Sequence, residues 1–297
     1  MTIKNVTVAG GGVLGSQIAY QTAFSGFAVT LYGRRDSSIQ AAKGRIEQLR
    51  PAYLHDLQIS DAQFDAGLAN ISYETDLNAA VAKADLIIES LPENLTTKQN
   101  FYETIADAAP KATIFASNSS TMLPSQFAKF TGRPAQFLNM HFANHIWVMN
   151  TAEIMGTKQT STDTYQTIVQ FARNIKMVPI EVKKEQPGYV LNSMLTPLMV
   201  AGMSLWAKGV ADPMTIDKTW MIATGAPMGP FAIIDMIGLR TAISVPLAQA
   251  GDEDGQIAAT ITAKLKERLA ENKLGAESGE GFYHYPNPEF QQKSFLS

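Results

Sequence analysis

The N-terminal part of the chain alternates between short apolar runs and segments with helical spacing. Ile3–Ala9 and Ala28–Tyr32 have the length and apolar character of buried strands, and Val13–Phe24 between them repeats its apolar residues as a helix does. A strand, a glycine-rich turn, a helix and a second strand within about 30 residues form a βαβ unit. The pattern therefore predicts a parallel sheet with helices between its strands.

The alternation continues to residue 181. Further strands are predicted at Ala69–Tyr73, Asp85–Glu89, Thr113–Ala116, Gln136–Met140, Thr151–Met155 and Met177–Glu181. Further helices are predicted at Asp36–Leu49, Leu77–Ala82, Thr96–Ala109 and Asp163–Asn174. Thr96 and Gln99 have the spacing of a capping box at the start of one of these helices.

The pattern changes at Pro187-Gly188, after which helical spacing dominates. Predicted helices follow at Tyr189–Lys208, Pro213–Ala223 and Gly255–Glu271. The sequence thus predicts an α/β fold, in which an N-terminal Rossmann domain with a mostly parallel sheet spans residues 1–186. An all-helical domain follows over residues 187–297.

Composition narrows the classes of function. The 297 residues are 45% hydrophobic and 17% charged with a net charge of -3, so the chain can fill two cores but has no basic stripe for nucleic acid. Cysteine is absent, which excludes disulfides and thiolate sites. No secretory signal pattern follows Met1, and no apolar run reaches the ~18 residues of a membrane span. We expect a soluble, cytoplasmic protein without a nucleic-acid or membrane partner.

The glycine-rich turn after the first strand has the spacing of a dinucleotide-binding motif. Gly10, Gly12 and Gly15 match G-x-G-x-x-G, and the motif lies between a predicted strand and a predicted helix. Gly10 permits the tight turn, Gly12 lets the backbone approach a pyrophosphate, and Gly15 lets helix and strand pack. With Val13 and Leu14 the helix start offers unpaired N–H groups to the phosphates. The alternative is a plain glycine-rich turn without a ligand.

The end of the second strand indicates which cofactor is preferred. An acidic residue at position 33 would bind the adenosine ribose of NAD. This chain has Gly33 there instead, and Arg34 and Arg35 follow it. Guanidinium groups suit a 2′-phosphate in charge and geometry, so the sequence favours NADP over NAD. The alternative is that both arginines are solvated loop charges and that Asp36 caps the next helix.

One histidine lies where a parallel sheet presents ligands. His141 ends the apolar strand that precedes it, and Glu153 lies within the next apolar run, where a carboxylate needs a partner such as an imidazole. A hydrogen-bonded core histidine without catalytic function is the alternative. His141 and His145 have the spacing of a helical metal site, but the apolar residues around them predict an irregular segment and no third ligand is near, so we expect no metal.

The chain resembles the L-3-hydroxyacyl-CoA dehydrogenase family over nearly its full length. The similar stretches are GGGVLGSQIA (10–19), IIESLPENLTTK (87–98), IFASNSST (114–121), HFANHIWVMNTAEIMG (141–156), PGYVLNSMLTP (187–197), GAPMGPFAIIDMIGLRT (225–241) and ESGEGFYHY (277–285).

The resemblance implies functions for individual residues. His141 matches the catalytic base and Glu153 the carboxylate that orients it, and Ser120 and Asn192 match polar residues near the reacting oxygen. Three further positions match residues that line the cofactor: Glu93, Lys98 and Asn144. The implied reaction passes hydride between the nicotinamide and C3 of a 3-hydroxyacyl-CoA or 3-ketoacyl-CoA. A homodimer formed through the helical domain is also implied.

The chain departs from the family at several positions. An acidic residue is usual at Gly33, a lysine at Asn150 and an arginine at Ser193, and His145 replaces a proline after the catalytic histidine. Loss of cations weakens the case for a polyanionic CoA ester. Two alternatives therefore stay open: a dehydrogenase of a non-CoA 3-hydroxy acid, ketone or sugar acid, and a non-catalytic, crystallin-like protein that binds the cofactor.

Overall fold

The computed structural model describes residues 2–244 and 255–296 of the chain. It contains two compact units, Met1–Val190 and Leu191–Ser297. Within the described residues, no helix is both long enough and apolar enough to cross a bilayer.

The first unit contains an eight-stranded sheet and seven α-helices among its described residues. The strands are β1 (Asn5–Ala9), β2 (Ala28–Tyr32), β3 (Ile71–Glu74), β4 (Leu86–Glu89), β5 (Ile114–Ser117), β6 (Phe137–Phe142), β7 (Thr151–Gly156) and β8 (Val178–Val182). The helices are α1 (Val13–Phe24), α2 (Asp36–Gln48), α3 (Arg50–Asp56), α4 (Asp61–Leu68), α5 (Leu77–Val81), α6 (Leu95–Ile105) and α7 (Thr162–Asn174).

The strand order in the sheet is β3-β2-β1-β4-β5-β6-β7-β8. Every neighbouring pair is parallel except β6 with β7, so the predicted mostly parallel sheet is confirmed. Strands β2 and β3 are added on one side of β1, and β4 is then added on the other side of β1. That reversal opens a crevice at the carboxyl ends of β1 and β4, where open α/β sheets bind ligands.

Apolar side chains cover both faces of this sheet. Adjacent residues of β4 show the alternation, since Ile88 packs into the cluster that contains Ile18 of α1, whereas Ile87 packs into the cluster that contains Tyr102 of α6. A strand buried on both faces must be apolar throughout, which explains the unbroken runs in the sequence. A polar side chain at a strand end is therefore conspicuous in this unit.

One prediction about the helices of this unit is wrong. Helix α6 begins at Leu95, and its N-cap is Asn94, whose side chain accepts from the Thr97 backbone N–H, so Thr96 and Gln99 do not form the cap. Helix α3 is not among the predicted helices. Pro51 lies in its first turn, where the missing N–H of proline leaves no partner unsatisfied.

The second unit is helical in its described residues, as the sequence predicts. Its helices are α8 (Leu191–Ala207), α9 (Pro213–Thr224), α10 (Pro230–Ile237), α11 (Leu239–Ala242) and α12 (Gln256–Ala270). Two buried carboxylates organise its core. Asp217 accepts from the backbone N–H groups that begin α10, and Asp235 accepts from the backbone N–H groups of Phe282 and Tyr283.

Candidate active site

The glycine turn has the geometry that a dinucleotide requires. Gly10 has a φ of 111°, and a Cβ there would lie 2.4 Å from the Ser90 carbonyl oxygen. A Cβ at Gly15 would lie 2.0 Å from the Gly10 carbonyl oxygen, so only glycine lets α1 pack against the turn. A Cβ at Gly12 would meet nothing within 4 Å, and this residue begins α1 without a side-chain cap. The open helix start therefore leaves its N–H groups available to phosphates.

A cavity of about 610 Å³ adjoins this turn. Its walls include the turn, with Val13 and Leu14, the end of β2, with Gly33 and Arg34, and one face of α2, with Ser37, Ser38 and Arg45. Arg45 donates from Nη1 to the Gly11 carbonyl oxygen at 3.0 Å. These groups fit a phosphorylated adenosine, because guanidinium, hydroxyl and backbone N–H groups all donate to phosphate oxygens.

The two arginines after β2 differ in position. Arg34 lines the cavity, whereas Arg35 is exposed at the N-cap position of α2. Asp36 is the first residue of α2 rather than its cap, and the cap makes no side-chain hydrogen bond. Of these two arginines, Arg34 is therefore the one in reach of a ligand in the cavity.

His141 and Glu153 face each other across the antiparallel pair β6 and β7. The register pairs the two residues directly, which puts their side chains on the same face of the sheet. The imidazole Nδ1 lies 2.9 Å from Glu153 Oε2, and both side chains are buried. Because a carboxylate only accepts, Nδ1 carries the proton and Nε2 is left with its lone pair. Glu153 thus fixes the tautomer that a general base needs.

Ser120 lies on the other side of the imidazole. Its Oγ is 3.1 Å from His141 Nε2, so the reactive nitrogen and a hydroxyl share one small space. Ser120 lies in the loop after β5, and the carboxyl ends of β5 and β6 meet at one edge because the strands are parallel. The structure brings together three of the four residues predicted to be catalytic.

Glu93 binds the residues on both sides of Ser120. Its Oε1 accepts from Ser119 Oγ at 2.5 Å and from the backbone N–H and the hydroxyl of Thr121 at 3.1 and 2.9 Å. Burial alone would raise the pKa of Glu93, but the hydrogen bond from Ser119, the charge of Lys98 and the two hydrogen bonds from Thr121 together outweigh burial and lower it. Glu93 is therefore a carboxylate near neutral pH.

Lys98 lies in the protein interior. Its Nζ is 2.6 Å from Glu89 Oε1 and 3.3 Å from Glu93 Oε2, and it also donates to the Leu91 carbonyl oxygen. Glu89, at the end of β4, further accepts from Ser117 Oγ at 2.6 Å. An ion pair this buried requires such full hydrogen bonding. Contact between Lys98 and a cofactor stays a prediction. In the structure Lys98 instead holds Glu93 in place through the ion pair with Glu93 Oε2.

Two more predicted residues have defined positions. Asn144 is exposed in the turn after β6, and its Oδ1 accepts from Gln17 Nε2 of α1 at 2.7 Å. That bond leaves the Asn144 amide N–H groups directed away from Gln17. Asn192 is the second residue of α8 in the helical unit. Within residues 2–244 and 255–296, no group of three or more His, Asp and Glu side chains could hold a metal ion.

Sequence reasoning missed two residues of this region. Glu89 ends an apolar strand just as His141 does, and that signal could have identified it. Tyr189 is buried with its ring stacked on the imidazole of His141. No periodic pattern indicates this contact, because Tyr189 lies in a turn with a positive φ of 54°.

The chain matches the models of two protein domains from one family of dehydrogenases. Residues 5–186 match the model of the 3-hydroxyacyl-CoA dehydrogenase NAD-binding domain, and residues 188–285 match that of the C-terminal domain of the same enzymes. The human mitochondrial hydroxyacyl-coenzyme A dehydrogenase is 31% identical over 288 residues, 95% of this chain and 91% of the relative. A probable 3-hydroxybutyryl-CoA dehydrogenase of Bacillus subtilis is 32% identical over 289 residues, 96% of this chain and 98% of the relative.

Two solved structures are closely similar. A diketoreductase, described as acting on dicarbonyl compounds, has a TM-score of 0.89 and 51% sequence identity, over 96% of this chain and 100% of that one. The (S)-3-hydroxybutyryl-CoA dehydrogenase of Ralstonia eutropha has a TM-score of 0.80 and 28% identity over the same shares of the two chains. Both similarities extend over the Rossmann and the helical units.

Proposed function

Because the chain belongs to the 3-hydroxyacyl-CoA dehydrogenase family, we propose that it transfers hydride between a nicotinamide cofactor and C3 of a 3-hydroxyacyl-CoA or 3-ketoacyl-CoA. The observation that carries this proposal is the environment of His141. Glu153 contacts its Nδ1 and Ser120 its Nε2, at the same sheet edge as the glycine turn. A hydroxyl-bearing substrate needs this arrangement of base, orienting carboxylate and hydrogen-bonding hydroxyl.

The proton transfer follows from the tautomer that Glu153 fixes. In oxidation, His141 Nε2 accepts the proton of the substrate 3-hydroxyl, and in reduction it returns that proton to the oxygen. Glu153 stabilises the imidazolium that forms, because its carboxylate lies 2.9 Å from Nδ1. Ser120 Oγ donates to the substrate oxygen and keeps it near the imidazole. The nicotinamide, when bound, supplies or accepts the hydride at C3.

Asn192 is proposed as a second polar contact of the reacting oxygen. Its side-chain amide offers donors that suit a carbonyl or alkoxide oxygen. Asn144 is proposed as a cofactor contact through its amide, and Glu93 and Lys98 as residues that support the cofactor side of the site. These four assignments rest on the family resemblance at each position.

The cofactor is a nicotinamide dinucleotide, and we propose that NADP is preferred over NAD. The cavity beside the glycine turn lacks an acidic residue at Gly33 and has Arg34, Ser37 and Ser38 in its walls. A 2′-phosphate would accept from all three, whereas a free 2′-hydroxyl of NAD finds no carboxylate at Gly33. Turnover with NADPH and NADH tests this preference, and faster turnover with NADH would refute it.

A substrate panel tests the proposed reaction. Oxidation of the reduced cofactors is followed with acetoacetyl-CoA and with free acetoacetate. Oxidation of the cofactor with acetoacetyl-CoA but not with acetoacetate supports the proposal. Oxidation with the free acid alone indicates the non-CoA alternative, and oxidation with neither, on a panel that includes diketones, favours a protein that binds the cofactor without catalysis.

A second candidate function is the reduction of a non-CoA dicarbonyl compound. The observation that favours it is the 51% identity to a diketoreductase over 96% of this chain. Uncharged Asn150 and Ser193, where the family usually has cations, agree with a substrate that lacks the phosphates of CoA. A dicarbonyl compound without CoA in the same panel tests this candidate. Faster reduction of this compound than of acetoacetyl-CoA would favour it.

We also propose that the chain forms a homodimer through its helical unit. Large apolar side chains are exposed there, including Met194 (70%), Ile222 (58%) and Trp220 (38%). Apolar surface of this kind in a single unit is commonly covered in an assembly. Light scattering after size-exclusion chromatography tests the proposal, and a monomer mass at all concentrations would refute it.

A further inference from the structure

Tyr189 contacts the two sides of the proposed catalytic site. Its ring lies nearly parallel to the imidazole of His141, with centroids 4.7 Å apart and an interplanar angle of 18°. Its hydroxyl donates to the Ser119 carbonyl oxygen at 2.7 Å and accepts from Asn139 Nδ2 at 2.9 Å. One buried side chain therefore links the strand that carries the imidazole to the loop that carries Ser120.

The backbone around Tyr189 is adapted to this contact. Gly188 has a φ of 77° and Tyr189 a φ of 54°, a conformation that tyrosine rarely adopts. The next residue, Val190, donates its backbone N–H to Glu153 Oε1 at 2.9 Å. The turn thus contacts the imidazole, the carboxylate and the serine loop within three residues.

The plane of an imidazole needs such support. The torsion between Cβ and the ring of histidine is broad and has no sharp preference, so the tilt of the ring depends on the contacts around it. The Tyr189 ring covers one face of the imidazole and limits that tilt. The direction of the Nε2 lone pair is therefore set by Glu153 and Tyr189 together.

The serine loop needs support for the same reason. Ser119 is bound at two atoms, its carbonyl oxygen by Tyr189 and its hydroxyl by Glu93, and the next residue is Ser120. The bond between Ser120 Oγ and His141 Nε2 is 3.1 Å long, so a shift of about 1 Å in the loop would break it.

We infer that Tyr189 is a positioning residue that sets the distance between Ser120 and His141, with its ring acting on the imidazole and its hydroxyl on the serine loop. The inference rests on the proposed dehydrogenase function. Phenylalanine at this position would keep the stacked ring but could not reach the Ser119 carbonyl oxygen. The hydroxyl of Tyr189 thus connects the serine loop, through the Ser119 carbonyl oxygen, to the strand β6 that carries His141, through Asn139.

Two substitutions separate the two contacts. Tyr189→Phe removes only the hydroxyl, and we expect kcat to fall about fivefold to tenfold, as for the loss of one hydrogen bond, with the Kd of the reduced cofactor unchanged. Tyr189→Leu also removes the ring and should lower kcat further. Tyr20→Phe is the matched control, because Tyr20 is likewise buried and its hydroxyl also donates to a backbone carbonyl oxygen, that of Phe64 in α4, so it should leave kcat unchanged.

A double-mutant cycle with Ser120→Ala tests whether the hydroxyl acts through Ser120. In the Ser120→Ala background, Tyr189→Phe should change kcat less than about twofold, because the group that the hydroxyl positions is gone. Equal losses in both backgrounds, or no loss in the wild-type chain, would overturn the inference. If Ser120→Ala and His141→Ala themselves leave kcat unchanged, the proposed function fails first, and the inference fails with it.

Discussion

Replacement of Glu153 by glutamine tests how far the carboxylate contributes to catalysis. The side chain is 3% exposed and accepts from His141 Nδ1 and from the Val190 backbone N–H. Glutamine has nearly the same shape but only one accepting oxygen, so its NH2 group faces either Nδ1 or the Val190 N–H, and one of these two hydrogen bonds is lost. The substitution therefore removes the negative charge and one hydrogen bond and keeps the volume.

The magnitude follows from the geometry of the pair. Two unit charges about 4 Å apart interact by about 4 kcal/mol at an effective dielectric constant of about 20. The attraction is present only while the imidazole is protonated, so its loss raises the barrier of the step that forms imidazolium. A loss of about 4 kcal/mol corresponds to roughly a 10³-fold decrease in kcat for oxidation.

The assay is oxidation of 3-hydroxybutyryl-CoA, followed through the absorbance of the reduced cofactor, with the Kd of the cofactor measured separately. Glu181→Gln is the matched control, because Glu181 lies on the neighbouring strand β8 and pairs with exposed Lys183 at 3.5 Å. We expect it to leave kcat unchanged. If Glu153→Gln keeps more than a tenth of the wild-type kcat while folded, the carboxylate does not stabilise an imidazolium here.

Three further predictions follow from the structure. Gly15→Ala should abolish cofactor binding in a fluorescence titration, because its Cβ would lie 2.0 Å from the Gly10 carbonyl oxygen, whereas Gly44→Ala, with nothing within 4 Å, should not. Arg34→Ala should raise KM for NADPH at least about tenfold, as loss of a charge-assisted bond does, and leave KM for NADH unchanged. Burial raises the pKa of Asp217 from 3.8 to about 6. Between these two pH values the folded unit retains a proton that the unfolded chain releases, so the free energy of unfolding falls as the pH rises from about 4 to about 6. Thermal unfolding against pH should show a flatter profile for Asp217→Asn.

The sequence predicted the Rossmann unit well because its strands are buried on both faces. Unbroken apolar runs and the glycine motif gave the bounds of α1 and β2 as the structure has them, Val13–Phe24 and Ala28–Tyr32. These apolar runs also identified His141, because it is a polar residue at the end of an apolar strand. Where burial dictates residue type, pattern and structure agree.

Other features depend on contacts between distant parts of the chain. The 2.9 Å distance from His141 to Glu153 follows from the antiparallel pairing of β6 and β7, and no spacing along the sequence specifies that register. The contact of Tyr189 with the imidazole depends on a turn at Gly188 with a positive φ. Asn94, and not the predicted Thr96, is the N-cap of α6. Asparagine and threonine are both good N-cap residues, so the sequence alone does not decide between them.

The central claim is that His141 is the general base of a nicotinamide-dependent dehydrogenase. The most direct test is kcat of His141→Ala together with the Kd of the reduced cofactor. The account predicts that kcat falls by roughly 10²–10⁴, the usual contribution of a general base, while the Kd is unchanged. A His141→Ala variant with wild-type kcat would contradict the account.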